Sequence, residues 1–133
     1  MRILVADDQS GVRSALHLLL EQELGLSIVE EVVEADRLLA QIEMTRPDVV
    51  LLDWELPGLQ GSDVVPSLRT VCPHVSVIAL SGLPEARQAA LSADVDAFVS
   101  KGDPPERLLE TVKRCRRRQQ RRVKGEGREK HVT

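Results

Sequence analysis

The chain has 133 residues and a formal net charge of −3, enough for one domain and too few for two ordinary ones. Hydrophobic residues make up 42% and charged residues 29%, a soluble globular balance, with no apolar run of about 18 residues to span a membrane. Aromatic residues make up only 2%, so the core must be built from Leu, Val, Ile and Ala.

The small net charge hides an asymmetry. Residues 1–112 carry 19 acidic and 8 basic side chains, a balance of −11, whereas residues 113–133 carry 10 basic and 2 acidic, a balance of +8. That is an acidic domain followed by a basic tail. Cys72 and Cys115 have neither CxxC nor His spacing, so they read as two reduced, part-buried thiols of a cytoplasmic protein. Asp7 and Asp8 arrive too early for a signal peptide.

In chain order, residues 2–6 read as a short apolar strand broken by Asp7 and Asp8. Ser10 is expected to cap a helix with Val12, Ala15, Leu16, Leu19 and Leu20 on one face. Arg13, His17 and Glu21 lie on the other face, and Gly25 ends the helix. Residues 26–33 form a second strand, nearer an edge because Glu30 and Glu31 interrupt it. Ala35, Leu38, Leu39 and Ile42 repeat the helical spacing until Pro47 stops it.

Val49, Val50, Leu51 and Leu52 then run without interruption into Asp53. Such a run marks a strand buried on both faces of a parallel sheet, and Pro57 and Gly58 force a turn after it. A third helix, capped by Ser62 or Asp63, carries Val65, Leu68 and Cys72. Pro66 is expected in its first turn, since deeper it would break the hydrogen-bond ladder. Residues 75–80 form a fourth strand ending at Ser81. Pro84 opens an Ala-rich helix to about Ser92, expected to be the least firmly packed. Residues 96–100 form a fifth strand ending at Lys101. Asp103, Pro104, Pro105 and Glu106 make a capping-box-like start to a last helix carrying Leu108, Leu109, Val112 and Cys115. Strand followed by helix, five times over, predicts an α/β domain: a parallel sheet covered on both faces, with right-handed crossovers.

The carboxyl ends of those strands bring together Asp7, Asp8, Asp53, Ser81 and Lys101, on the edge where open α/β sheets bind ligands. Like charges at ~4 Å and an effective dielectric of ~20 cost about 4 kcal/mol per pair, so three carboxylates there demand a cation. Mg²⁺ suits carboxylates, a carbonyl and waters, and Lys101 adds a second positive charge. A cation, an ammonium and a hydroxyl around one carboxylate form a phosphoryl-transfer layout, with Asp53 as the nucleophile that becomes an aspartyl phosphate.

Taken in register with five strand–helix units, Asp7-Asp8, Asp53, Ser81 and Lys101 resemble the receiver domain of bacterial two-component response regulators. The resemblance covers residues 1–118 and leaves 119–133 as a basic tail or linker. Gly102 stands where most receivers have proline, as is common in the LuxR-type subclass. Asp94 stands where relatives often have Gly, which suggests a left-handed turn that Asp tolerates.

The resemblance implies a doubly wound, flavodoxin-like sheet of order 2-1-3-4-5. It implies Mg²⁺ held by Asp8, Asp53 and the backbone carbonyl of Glu55, with Asp7 acting through a bound water. Asp53 would be phosphorylated by a sensor histidine kinase or by a small donor such as acetyl phosphate. Lys101 and the Ser81 hydroxyl would hold the phosphate oxygens. Phe98 would be the switch aromatic, turning inward as Ser81 moves and changing the surface of the fourth helix, fifth strand and fifth helix. The resemblance also leaves open a homodimer through the first and fifth helices or the fourth-helix face.

Other readings stay open beside these. Ser81 could cap the helix at Pro84, and Phe98 could be an ordinary core aromatic. The chain could be a degenerate receiver that binds partners without phosphorylation. It could also be a Mg²⁺-dependent aspartyl phosphohydrolase, with Glu55 as the acid two residues past Asp53. Trp54 is expected to be partly exposed near the site, and His17, His74 and His131 on the surface without ligand spacing. The basic run, with Arg114, Arg116, Arg117, Arg118, Arg121, Arg122 and Lys130, reads as a solvated helix end or as a contact for nucleic acid or an acidic partner. In LuxR-type regulators this region leads to a helix-turn-helix domain that controls transcription. Contact with DNA would then run through an output domain absent from this chain, which reads as a stand-alone receiver or an excised piece.

Overall fold

A computed structural model describes the backbone of residues 1–132 and the side chains of residues 1–121. The strands are β1 (Arg2–Ala6), β2 (Ser27–Val32), β3 (Val49–Asp53), β4 (Ser76–Ser81) and β5 (Ala97–Ser100). They form one parallel sheet in the order β2-β1-β3-β4-β5, the expected doubly wound arrangement. The helices are α1 (Ser10–His17), continued by a π-helical turn over Leu18–Gln22, α2 (Leu38–Thr45), α3 (Gly61–Val71), α4 (Ala86–Ser92) and α5 (Pro105–Val132).

The period of two along each strand sorts the aliphatic residues into two layers. Leu4, Val50, Leu52, Val77 and Ala79 pack with Leu38, Ile42, Val65, Leu68 and Ala90 on one face. Ile3, Val5, Val49, Leu51, Ile78 and Val99 pack with Leu16, Leu20, Leu108, Val112 and Cys115 on the other. Every residue of β3 is buried, as its unbroken apolar run demands. Each fully buried Leu, Ile or Val contributes about 1.5–3 kcal/mol, and that double layer is what can hold charged groups at the sheet's lip. Cys72 and Cys115 are free and buried, and among the described residues no helix is long and apolar enough to cross a membrane.

Several local expectations are corrected. The cap residue of α1 is Gln9, with no side-chain cap bond, and Ser10 is already helical. The preceding turn is tied instead by Asp7, whose Oδ1 accepts the Gln9 N–H at 2.9 Å. Helix α3 starts at Gly61, earlier than expected, so Pro66 stands inside it, beyond the first turn. Pro66 is exposed, so water can satisfy the carbonyl that its missing N–H leaves open. The Asp103 carboxylate does not cap α5. It turns back to accept the Ser100 N–H at 3.2 Å, closing the β5–α5 turn. Asp94 does take the left-handed conformation, with φ of 67°.

Helix α5 crosses the sheet to its opposite edge. Arg118 reaches Asp96 Oδ1 at 2.6 Å, and the Gln119 amide donates to the His74 carbonyl at 2.6 Å and to the Asp48 carbonyl at 3.1 Å. The side chains of Arg122, Lys130 and His131 lie outside the described residues.

Candidate functional site

The site is assembled where the strands stop. Asp7 follows β1 directly, and its N–H extends the ladder to the Val32 carbonyl at 2.9 Å. Its own carbonyl accepts from Arg13 Nη1 at 2.9 Å. Asp53 closes β3, and the Glu55 N–H turns back onto its Oδ1 at 2.9 Å. The Trp54 N–H crosses to the Leu80 carbonyl at 2.8 Å, which pins this turn to β4. Ser81 closes β4. The Lys101 N–H, just past β5, reaches the Ser81 carbonyl at 2.8 Å, which swings the lysine over the lip.

Lys101 Nζ lies 2.8 Å from Asp7 Oδ2 and 3.3 Å from Asp53 Oδ2, and it donates to Gln9 Oε1 at 3.1 Å. Asp7 is 0% exposed and Asp53 2%, whereas Asp8 is exposed. One carboxylate oxygen from each of Asp7, Asp8 and Asp53 lies within 4.8 Å of the others. Burial, and secondarily the Asp7 charge, raises the Asp53 pKa above the usual carboxylate range, although the Glu55 N–H and Lys101 oppose this. Burial works to lower the Lys101 pKa, but Asp7 and Asp53 outweigh it and the ammonium is held above its ordinary value. The Lys101 ammonium is thus the counter-charge of two buried carboxylates, beside the exposed Asp8.

These residues fit a hard divalent cation. Among the described residues Asp7 Oδ2 is buried and has only the Lys101 ammonium beside it, at 2.8 Å, so a lone pair on that oxygen is left for a cation. An all-oxygen donor set with one exposed carboxylate suits Mg²⁺, which keeps several of its waters.

The Ser81 side chain is 0% exposed, and its hydroxyl meets the Glu55 carboxylate at 2.7 and 2.8 Å. It also accepts the Leu83 N–H at 2.9 Å, closing the turn toward α4. It does not cap that helix, whose cap residue is Glu85. Phe98 is half-buried on β5, packed on the same sheet face as Ala79, its partner across the β4–β5 ladder. Arg87 stands 6.0 Å from its ring centroid. Trp54 is half-buried over Gly61, where any added Cβ would run into the indole.

The fold thus brings together Asp7, Asp8, Asp53 and Lys101, and it sets Ser81 and Glu55 beside them. Two contributors were missed from sequence: the Gln9 amide on Lys101 and the Arg13 guanidinium on the Asp7 carbonyl. Their side-chain types carry no special chemistry, and only their nearness to the strand ends could have flagged them.

A family model for the response regulator receiver domain matches residues 3–113. The transcriptional activator protein ExaE of Pseudomonas putida is 33% identical over 117 residues, which is 86% of this chain and 54% of that protein. The chain spans about half the length of such curated relatives. Among solved structures, a LuxR-family DNA-binding response regulator from Staphylococcus aureus shares 29% identity at a TM-score of 0.76, over 86% of this chain and 97% of that one. A CheY-like receiver domain protein from Methanospirillum hungatei JF-1 shares 28% at a TM-score of 0.79, over 91% of this chain and 97% of that one. With the family match spanning the whole sheet and the acidic lip already in view, this chain belongs to the response regulator receiver domain family of two-component systems.

Proposed function

We propose that the chain is a phospho-acceptor switch in which Asp53 takes a phosphoryl group from a sensor histidine kinase or from a small acyl phosphate. The observation that carries this reading is Lys101 Nζ bridging Asp7 and Asp53 at 2.8 and 3.3 Å. That bridge is a preformed counter-charge beside a buried carboxylate at the end of the central strand. An Asp53 oxygen attacks phosphorus, the bond from phosphorus to the donor's leaving group breaks, and the leaving group departs with its electron pair. Lys101 moves from the two carboxylates to the new phosphoryl oxygens. Asp8, Asp53 and the Glu55 carbonyl would hold Mg²⁺, with Asp7 acting through a water. Bound there, the ion would neutralise charge on the transferring group.

Ser81 follows the phosphoryl group, and Phe98, one repeat back on the same face, moves inward behind it. The surface of α4, β5 and α5 changes as a result. Transcriptional output then runs through a DNA-binding domain joined to or recruited by the receiver, and LuxR-type architecture is the model for that arrangement. The test is intact mass after incubation with Mg²⁺ and acetyl phosphate. The wild-type chain is expected to gain one labile phosphoryl group and Asp53→Asn none. Turnover of an added phosphoester without that gain would instead make this a phosphohydrolase.

A further inference from the structure

Glu55 ties the Asp53 carboxylate to the Ser81 hydroxyl. Its backbone N–H holds Asp53 Oδ1 at 2.9 Å, and its carboxylate takes the Ser81 hydroxyl at 2.7 and 2.8 Å. The Gly82 N–H, 3.3 Å from the same carboxylate, gives it a second donor. A serine hydroxyl has one hydrogen to donate, and a bond to a carboxylate is about twice as strong as a neutral one. Ser81 is fully buried and Glu55 exposed, so the contact ties an inner switch group to the outer rim. The same hydrogen cannot serve Glu55 and a phosphoryl oxygen on Asp53 at once.

We infer that Glu55 is a positioning residue that latches Ser81 in the resting state, so that phosphoryl capture must first break this bond. The inference rests on the phospho-acceptor reading of the site. A ligand shifts a two-state element only by its differential affinity for the two states, and the lost Glu55–Ser81 bond is subtracted from what the phosphoryl group gains. Charge offers a competing account, because a carboxylate near Asp53 repels an incoming anion whatever Ser81 does. The accounts separate in a double-mutant cycle.

The probe is beryllofluoride, a phosphoryl mimic, titrated in Mg²⁺ by calorimetry against wild type, Glu55→Ala, Ser81→Ala and the double variant. Ser81→Cys, of similar size and a weak donor, provides a second background in case the buried alanine unfolds the chain. Glu55→Ala is expected to bind about fivefold tighter, the worth of one charge-assisted hydrogen bond partly open to solvent. The gain is expected to vanish when Ser81 is also replaced. An equal gain in both backgrounds overturns the latch in favour of charge, and no gain in either overturns it outright. If wild type binds no more beryllofluoride than Asp53→Asn does, the phospho-acceptor reading fails, and the latch fails with it.

Discussion

Lys101 shows how much a single side chain carries at this lip. Its ammonium faces Asp7 and Asp53, of which Asp7 is fully buried and Asp53 nearly so, and each carboxylate raises the energy of the other. Removing one partner of a buried ion pair costs about 3 kcal/mol or more. Lys101→Ala should therefore lower thermal stability in metal-free buffer by about that amount. Mg²⁺ should recover more stability in the variant than in the wild type, because the cation takes over the role of the lysine. Melting curves with and without Mg²⁺ check the first part, and calorimetry checks that Mg²⁺ uptake survives. A variant that lost Mg²⁺ binding would refute the division of labour between lysine and cation. The acids, the serine and the lysine were legible in the sequence because their chemistry is unusual at the ends of apolar strands. Gln9 and Arg13 were not, since an amide or a guanidinium just after a strand is commonplace. Their partners depend on the path of the turn, which Asp7 sets through its bond to the Gln9 N–H.

At the scale of elements, periodicity carried the number, type and order of strands and helices, while their boundaries followed contacts that periodicity does not contain. Helix α3 is an example. Its first residue is Gly61, where the Trp54 indole occupies the space a side chain would need. Gly61→Ala should displace Trp54 and cost about 1–2 kcal/mol, seen as a changed emission of the single tryptophan together with an earlier urea midpoint. Unchanged emission would mean that the indole is not held there. Helix α1 and strand β2 are linked by His17, whose ring nitrogens meet Glu31 at 2.6 Å and Glu21 at 3.1 Å. Burial works to lower the His17 pKa, but Glu31 and Glu21 outweigh it and hold it above 6.5. The sign follows from linkage. A folded pKa above the unfolded one contributes stability that is complete below about pH 6.5 and is lost as pH rises through the folded value. The side chains are 37–43% exposed, so solvent screening holds the effect to about 0.5 kcal/mol. Urea unfolding at pH 6 and pH 8 should show this loss in the wild type and not in His17→Gln, and equal pH dependence in both would remove the link.

On the scale of the whole molecule, the two edges of the sheet divide the work. The carboxyl edge holds the charged site, and its strand ends are short of neutralising partners. At the opposite edge the Asp96 carboxylate ties β4 to α3 and α5. Its Oδ2 accepts the Val77 N–H at 2.7 Å and pairs with Arg69 at 3.1 Å, and its Oδ1 pairs with Arg118 of α5 at 2.6 Å. Arg69 also donates to the Asp94 carbonyl at 2.6 Å, at the left-handed turn before β5. Helix α5 therefore starts beside Lys101 and is fastened at the far edge, beyond residue 113 where the family match stops. A helix that touches both edges can pass a change at the lip to whatever follows it only if its far anchor stays rigid. Asp96→Ala tests that anchor. It leaves the buried Val77 N–H and the Arg118 guanidinium without this acceptor, while Arg69 keeps the Asp94 and Val75 carbonyls, which should cost about 3 kcal/mol. Amide exchange should rise in α5 from Cys115 onward, while phosphoryl uptake at Asp53 persists because no contact of Asp96 reaches the lip. Exchange confined to the β4–β5 edge would show that the apolar face of α5 and the Gln119 amide hold the helix without Asp96. Loss of uptake would show that the two edges act as one unit.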